Sequence, residues 1–281
     1  MMVSAQIDAH LPRLTKAERR VAAVVADDPE AVAFGTVADV ARQAGASGAT
    51  VVRLAAKLGF EGFVELQSAV REEMARRLRP ASERIRRPAA GDVLGTALAT
   101  EMANVAATLE AVEPSSFEKA VRLLSERGSG RVLVLSGDAS SGVASLFADE
   151  LSMLRPGVVL VGGSEVRVAR LLADIGPSDV VVVLDLARYD RAVLDATGRA
   201  AEQGAALLAL TDSALSPLAS AAAVSFTASV TGAGPFDSHV GLLALANALL
   251  AGVAARLRRS ATDRLDQVES AWRTAAALTD S

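Results

Sequence analysis

Cysteine is absent from the 281 residues, which excludes disulfides, cysteine-ligated zinc, iron–sulfur clusters and thiol nucleophiles. The absence fits a reducing, cytoplasmic setting. Histidine occurs only at His10 and His239, too few for a histidine-rich metal site, so no metal or cofactor is expected. No long hydrophobic run reads as a membrane span. The nearest approach, Val240 to Ala255, is interrupted by Asn247 and is mostly Ala, Leu and Gly. A span needs roughly 20 strongly apolar residues, so this run is expected to be a buried core helix. The N-terminus carries charge by Asp8 and lacks an apolar signal core.

What is present is apolar residues, at 51%, enough to bury a real core and too many for a disordered chain. The length suggests two domains. With 22% charged residues and a net charge of −4, binding to nucleic acid or membrane by bulk charge alone is disfavoured. The charge is unevenly placed. Residues 1–90 carry 14 Arg and Lys against 11 Asp and Glu, so +3, and the remainder 15 against 22, so −7. The two parts are therefore expected to meet different partners.

Up to residue 79 the text reads as helices broken by turns. Thr15 with Glu18 forms a capping box, and Ala17, Val21, Val24 and Val25 follow helical spacing. Asp28-Pro29 stops or bends that helix. Residues 80–92, set between Arg79 and Asp92 in RPASERIRRPAAGD, are the linker candidate, with two prolines nearby and almost no large apolar side chain. Helical pattern resumes from Val93 to Val112, and Pro114-Ser115 opens another helix.

Beyond residue 130 the rhythm changes. Arg131–Ser136, Val158–Val161, Asp179–Asp185, Ala206–Thr211 and Val224–Thr227 are short apolar runs. Helical stretches at about 141–154, 164–174, 190–203 and 214–221 separate them. Continuous apolar strands alternating with helices imply a five-stranded parallel sheet in a doubly wound α/β domain. Two helices, from about Phe236 to Leu257 and Asp263 to Leu278, close the chain. The apolar run 240–255 and the amphipathic tail bearing Trp272 are the surfaces expected to support association. The expected layout is thus an all-α domain at 1–79, a linker at 80–92 and an α/β domain at 93–281.

Residues 37–56 fit a helix-turn-helix. Ala41 is small where two helices cross, Gly45 supplies a left-handed turn, and Val40, Ala44, Val51 and Leu54 take the positions to be buried. Ser47 caps the second helix and could face a phosphate. Ala49, Arg53 and Ala56 point away from the core, flanked by Thr50, Val52 and Lys57. In a major groove Arg53 suits guanine edges, and Ala49 or Val52 thymine methyls. Thr50, Lys57 and the amides near Gly59 to Gly62 suit phosphates.

In the second domain the first strand runs into Ser136-Gly137-Asp138-Ala139-Ser140-Ser141-Gly142 before a helix. Ligands in such sheets sit beyond the strand ends at the topological switch point. Glycine lets backbone amides approach an anion, and Ser140 and Ser141 add hydroxyls. Taken alone, the motif reads slightly better as an ordinary tight strand-to-helix turn with serine caps. It has neither the lysine of a Walker loop nor the full glycine pattern of a dinucleotide fingerprint.

Leu14 to Val70 resembles the N-terminal domain of the RpiR family of bacterial transcriptional regulators. The likeness rests on Leu14-Thr15 with Glu18 and Arg19, Pro29-Glu30, and Ala41 with Ala44-Gly45. Most specific are Ala49-Thr50-Val51-Val52-Arg53, Lys57-Leu58-Gly59-Phe60 and Gly62-Phe63. Residues from about 130 to 258 look like a sugar isomerase (SIS) domain, the family's usual C-terminal partner. The resemblance implies a homodimer or homotetramer reading double-stranded operator DNA as an inverted repeat, with Ser47, Thr50, Arg53 and Lys57 matching the recognition segment. It also implies a small anionic effector, such as a phosphorylated sugar, near Gly137, Ser140 and Ser141. Thr211-Asp212-Ser213 matches the loop after the fourth strand. One departure stands out. The family's Ser-x-Ser-Gly-x-Thr run after the third strand is here Asp185-Leu186-Ala187-Arg188-Tyr189-Asp190. Arg188 or Arg191 could replace the lost hydroxyls with charge, whereas Asp185 would repel a phosphate.

A sugar-phosphate isomerase is the competing reading. Isomerisation needs a base beside a carbonyl, and Glu150, Glu165, Asp185 and His239 are the candidates by type. Glu150 and Glu165 read as solvated helix positions, His239 as a helix cap. A helix-turn-helix would be superfluous on such an enzyme, so a non-enzymatic regulator is expected.

Overall fold

The computed structural model describes residues 3–77, 81–86, 91–126, 130–214 and 216–277. The chain divides into two compact units. One is Met1–Ala97 with Ser213–Ser220 and Gly232–Asp237; the other is Leu98–Asp212, Ala221–Thr231 and Ser238–Ser281.

The first unit is built from α1 (Val3–His10), α2 (Lys16–Asp27), α3 (Pro29–Phe34), α4 (Val37–Gln43), α5 (Gly48–Lys57) and α6 (Phe63–Arg77). Side-chain caps mark the starts. The Thr15–Glu18 capping box opens α2 as expected, and a second one, Thr36 with Asp39, opens α4. Asp28 ends α2 and accepts from the Ala31 amide to start α3, so the Asp-Pro step turns the chain without leaving amides bare. Val21, Val25, Val32, Val40, Val51, Leu54, Leu58 and Leu66 share one core. Three long polar side chains tie its turns: Arg20 donates to the carbonyls of Ala44 and Gly45, Gln67 to those of Val32 and Gly35, and Arg71 to that of Ala33.

Part of the expected linker falls outside the described residues, at 80 and 87–90. Within it Ala81–Arg84 forms one helical turn, α7. Pro80-Ala81-Ser82-Glu83 has the composition of a helix start, which the linker reading overlooked.

The second unit contains α8 (Val93–Glu110, whose first turns belong to the other unit), α9 (Pro114–Ser125), β1 (Val132–Ser136), α10 (Ser141–Leu154), β2 (Val158–Val161), α11 (Glu165–Ala173) and β3 (Val180–Leu184). It continues through α12 (Arg191–Glu202), β4 (Ala206–Thr211), α13 (Pro217–Ala221, all but its last residue assigned to the first unit), β5 (Val224–Thr227), α14 (Val240–Arg256) and α15 (Arg258–Thr274). All five strands are parallel, in the order β2-β1-β3-β4-β5. β3 is buried along its whole length, as a strand covered on both faces must be. The helix α14 packs on both α9 and α10, and α11 packs on α12.

The last helix starts at Arg258 rather than near Asp263. Leu257 has a near-helical backbone, so the break between α14 and α15 spans one residue and leaves no loop signal in the sequence. Leu242, Leu245, Leu249 and Val253 of α14 lie in the domain core. The run 240–255 is therefore a core helix as expected, and its apolar surface is spent inside the domain. Among the described residues no single helix is long and apolar enough to cross a membrane.

Candidate nucleic-acid interface and ligand site

The two helices α4 and α5 are joined by Ala44–Ser47. Gly45 has φ +57°, the left-handed value that side chains resist. Val40, Ala41, Ala44, Val51 and Leu54 are buried, so the assigned inner face is the observed one. Ser47 caps α5 by accepting from the Thr50 amide (3.3 Å). Its hydroxyl also meets the Thr50 hydroxyl at 2.9 Å.

Ala49, Val52, Arg53 and Ala56 are exposed. The face holds methyl-bearing side chains around one guanidinium, which donates to the Thr50 hydroxyl (3.3 Å) while remaining at the surface. Thr50 differs from expectation, since it is buried with its hydroxyl engaged by Ser47 and Arg53. Thr50 is a support for Arg53, and its backbone amide is consumed by the cap. Lys57 is half-exposed and donates to Glu18 at 2.8 Å. That bond, first, and the Thr15 amide, second, hold the Glu18 carboxyl near a pKa of about 2. A lysine ammonium has three donors, so Lys57 can still reach a phosphate while tied to α2. Nothing in the spacing announced this pair, whose members lie 39 residues apart.

In the second unit the switch point falls between β1 and β3, where strand order reverses direction. Ser136 and Leu184 are register partners there, so Gly137 and Asp185 emerge side by side. They lie against each other: a Cβ on Gly137 would collide with the Asp185 carboxyl. The glycine at 137 is thus required by the aspartate across the crevice, and its backbone, at φ −65°, is ordinary. Asp185 is buried, and its two oxygens accept from the amides of Leu186 (2.9 Å) and Asp190 (2.7 Å). Burial raises its pKa, and the charges of Asp190 and Asp212 add to that rise, against the two amide bonds.

Ser140 is fully buried, and its Oγ has no hydrogen-bond partner. Ser141 is exposed and donates to the Asp138 carbonyl (2.7 Å). Arg188 is exposed with φ +73°, a conformation forced on a non-glycine residue by the tight Asp185–Asp190 loop. Thr211, at the end of β4, is buried beside Asp212, which also accepts from the Tyr189 hydroxyl (2.6 Å). Ser213 is buried and its carbonyl accepts from the Ser216 amide. Topology therefore gathers Gly137, Ser140, Ser141, Arg188 and Thr211 at three neighbouring strand ends. Tyr189, which sequence reasoning did not single out, joins them.

The candidate bases are dispersed. Glu150 and Glu165 are exposed on their helices. His239 precedes α14 without capping it by its side chain, and its Nε2 is buried without a partner. Among the described residues no group of three or more acidic or histidine side chains could hold a metal ion.

A helix-turn-helix that offers a cation among small apolar side chains, on a chain that continues into a five-stranded parallel sheet, defines a DNA-binding regulator with a metabolite-binding type of domain. Residues 1–77 match the helix-turn-helix domain of the rpiR family, and residues 127–252 match the SIS domain. The chain is 28% identical over 222 residues to the HTH-type transcriptional regulator HexR of Pseudomonas aeruginosa, covering 77% of this chain and 75% of that one. It is 27% identical to the HTH-type transcriptional regulator YfhH of Escherichia coli, over 70% of this chain and 71% of that one. Among solved structures, the sugar isomerase domain of an RpiR transcription factor from Sphaerobacter thermophilus superposes with a TM-score of 0.60 at 29% identity. The match covers 64% of this chain and 99% of that one. The Vibrio vulnificus NanR protein, solved in complex with ManNAc-6P, shares the fold over 97% of this chain and 98% of its own, with a TM-score of 0.58 at 19% identity. The chain thus carries an rpiR-family helix-turn-helix domain followed by a SIS domain, the make-up of a transcriptional regulator rather than of an isomerase.

Proposed function

We propose that this regulator reads a double-stranded operator through Arg53, with Ala49 supplying apolar contact to bases, Ser47 and Lys57 setting the helix on the backbone, and Thr50 holding Arg53 in place from behind. Residues 1–79 form the DNA-binding part, 80–92 the linker, and 93–281 the sensing and dimerising part of a cytoplasmic homodimer or homotetramer. The observation that carries the reading is the exposed guanidinium of Arg53 on the second helix of the motif. The test is binding of purified protein to genomic fragments, followed by anisotropy titration of the selected site. Arg53→Ala is expected to weaken that site by about 1–3 kcal/mol. Undiminished specific binding by the variant would remove Arg53 from the readout. Affinity should also fall as salt rises.

The effector is a small, anionic, phosphosugar-like metabolite bound where β1, β3 and β4 end. Support comes from the Gly137–Ser141 loop at the start of α10, from the unpartnered Ser140 hydroxyl, and from Arg188 and Thr211 at the adjacent ends. Ser213 continues the β4 loop. The Vibrio vulnificus NanR protein, which shares the fold, is solved in complex with a phosphorylated sugar derivative, ManNAc-6P. Asp185 tempers the charge preference, and Asp185→Asn is expected to strengthen binding of a phosphorylated sugar. A thermal-shift series with sugar phosphates and their unphosphorylated forms tests the reading, because a ligand preferring the native state raises Tm. No response from any member, and no change on Ser141→Ala, would move the site elsewhere. DNA and effector, if coupled, alter each other's affinity by the same factor.

A further inference from the structure

The helix α8 is mostly apolar, yet the side chains it buries are polar. Asn104 and Thr108 are its buried residues. Asn104 donates to the Thr231 carbonyl (2.8 Å) and accepts from the Ser229 hydroxyl (2.9 Å). Thr108 accepts from the Ser229 amide (2.9 Å). Glu101, at the border of that face, accepts from Asn104 and from Ser238. The apolar side chains lie outside: Leu94 is 84% exposed, Leu98 63% and Met102 64%, with Leu109 further along the same stripe. Burying each of these would stabilise by about 1.5–3 kcal/mol, so leaving a row of them in water signals a surface that is covered in the working assembly.

We propose that this stripe of α8 packs against the same stripe of a second copy of the chain, across a two-fold axis near Met102. The proposal rests on the reading that the regulator is an oligomer and names the surface that makes it one. Leu94 and Val105 are eleven residues apart, and so are Leu98 and Leu109. An eleven-residue repeat keeps a stripe almost straight along a helix, so two such helices can lie together over the full length of about 27 Å.

Charge decides between occupants. α8 contains no Lys or Arg, and its acidic residues are Glu101, already bonded to Asn104 and Ser238, and Glu110 at the last position. A nucleic acid or an anionic membrane would need cations here. A two-fold contact sets each patch against itself, which an uncharged apolar stripe tolerates and a charged one does not. Ala99, Ala103 and Ala106 beside the stripe are exposed and small, permitting close approach of the partner backbone. One helix face covers on the order of 300 Å², so the stripe is the apolar centre of an interface of about 800 Å² per partner.

The decisive experiment measures the mass of the full-length protein by light scattering, with wild type beside the double variant Leu98→Glu, Met102→Glu. Wild type is expected to be oligomeric and the variant to have half its mass, with an unchanged circular dichroism spectrum. A variant that keeps the wild-type mass overturns the α8 interface and leaves the oligomer reading standing. A monomeric wild type overturns both. Should the charged variant fail to fold, Met102→Cys decides instead. The chain has no other cysteine, so mild oxidation either yields a disulfide-linked pair through that position or, by yielding none, overturns the proposal.

Discussion

The helices α5 and α8 are built in opposite senses. In α5 the large apolar residues Val51, Leu54 and Leu58 beyond its end point inward and a cation stays outside. In α8 an amide and a hydroxyl point inward and leucines stay outside. The two outward faces carry the two proposals: a polyanion against the first, another apolar surface against the second. The comparison shows that composition alone does not orient a helix. What orients it is what the neighbouring loop requires: Thr108 pairs the Ser229 amide and Asn104 the Thr231 carbonyl.

That contrast can be broken from several sides. Leu54→Ala, at a fully buried position of α5, is expected to cost about 2–5 kcal/mol, whereas Leu94→Ala on α8 should change the stability of an isolated chain by no more than about 0.5 kcal/mol. Urea unfolding at low protein concentration measures both, and equal losses would contradict the assigned orientations. Asn104→Ala should cost about 1–3 kcal/mol despite its polar character, because the Thr231 carbonyl and Ser229 hydroxyl lose their partner. Thr36→Ala, which removes the α4 capping box, is expected to lower stability by about 1 kcal/mol. The Lys57–Glu18 tie that fixes the end of α5 gives a pH signature. Glu18 falls from its ordinary 4.5 to about 2 on folding, so its contribution is complete above pH 4.5 and is lost as pH drops toward 2. Glu18→Gln should flatten that acid limb of the stability curve, and an unchanged limb would show that the tie is not formed in solution.

Much of this architecture can be read from residues alone. The strand Ala206–Thr211 coincides with its apolar run because a doubly covered strand has no polar alternation to blur its ends, and the edge strand Val224–Thr227 is marked instead by alternation, Val224 and Phe226 being buried. The Thr15–Glu18 box and the Gly45 turn were legible because both depend on local backbone geometry. What was not legible depended on distance. The engagement of Lys57 follows from a glutamate on another helix, and the inversion of α8 from a loop more than a hundred residues later. At the ligand site the residues were legible one by one. Their arrangement was not: Asp185 turns out to fill the crevice beside Gly137 and to satisfy the loop that follows it.

That last contact makes positions 137 and 185 a single heritable unit. A methyl group at 137 is compatible only with a shorter side chain at 185, and the shorter side chain would free the amides of Leu186 and Asp190 for an outside anion. Related regulators should therefore vary at these two places together, and a paired exchange could convert one effector preference into another where neither single exchange would.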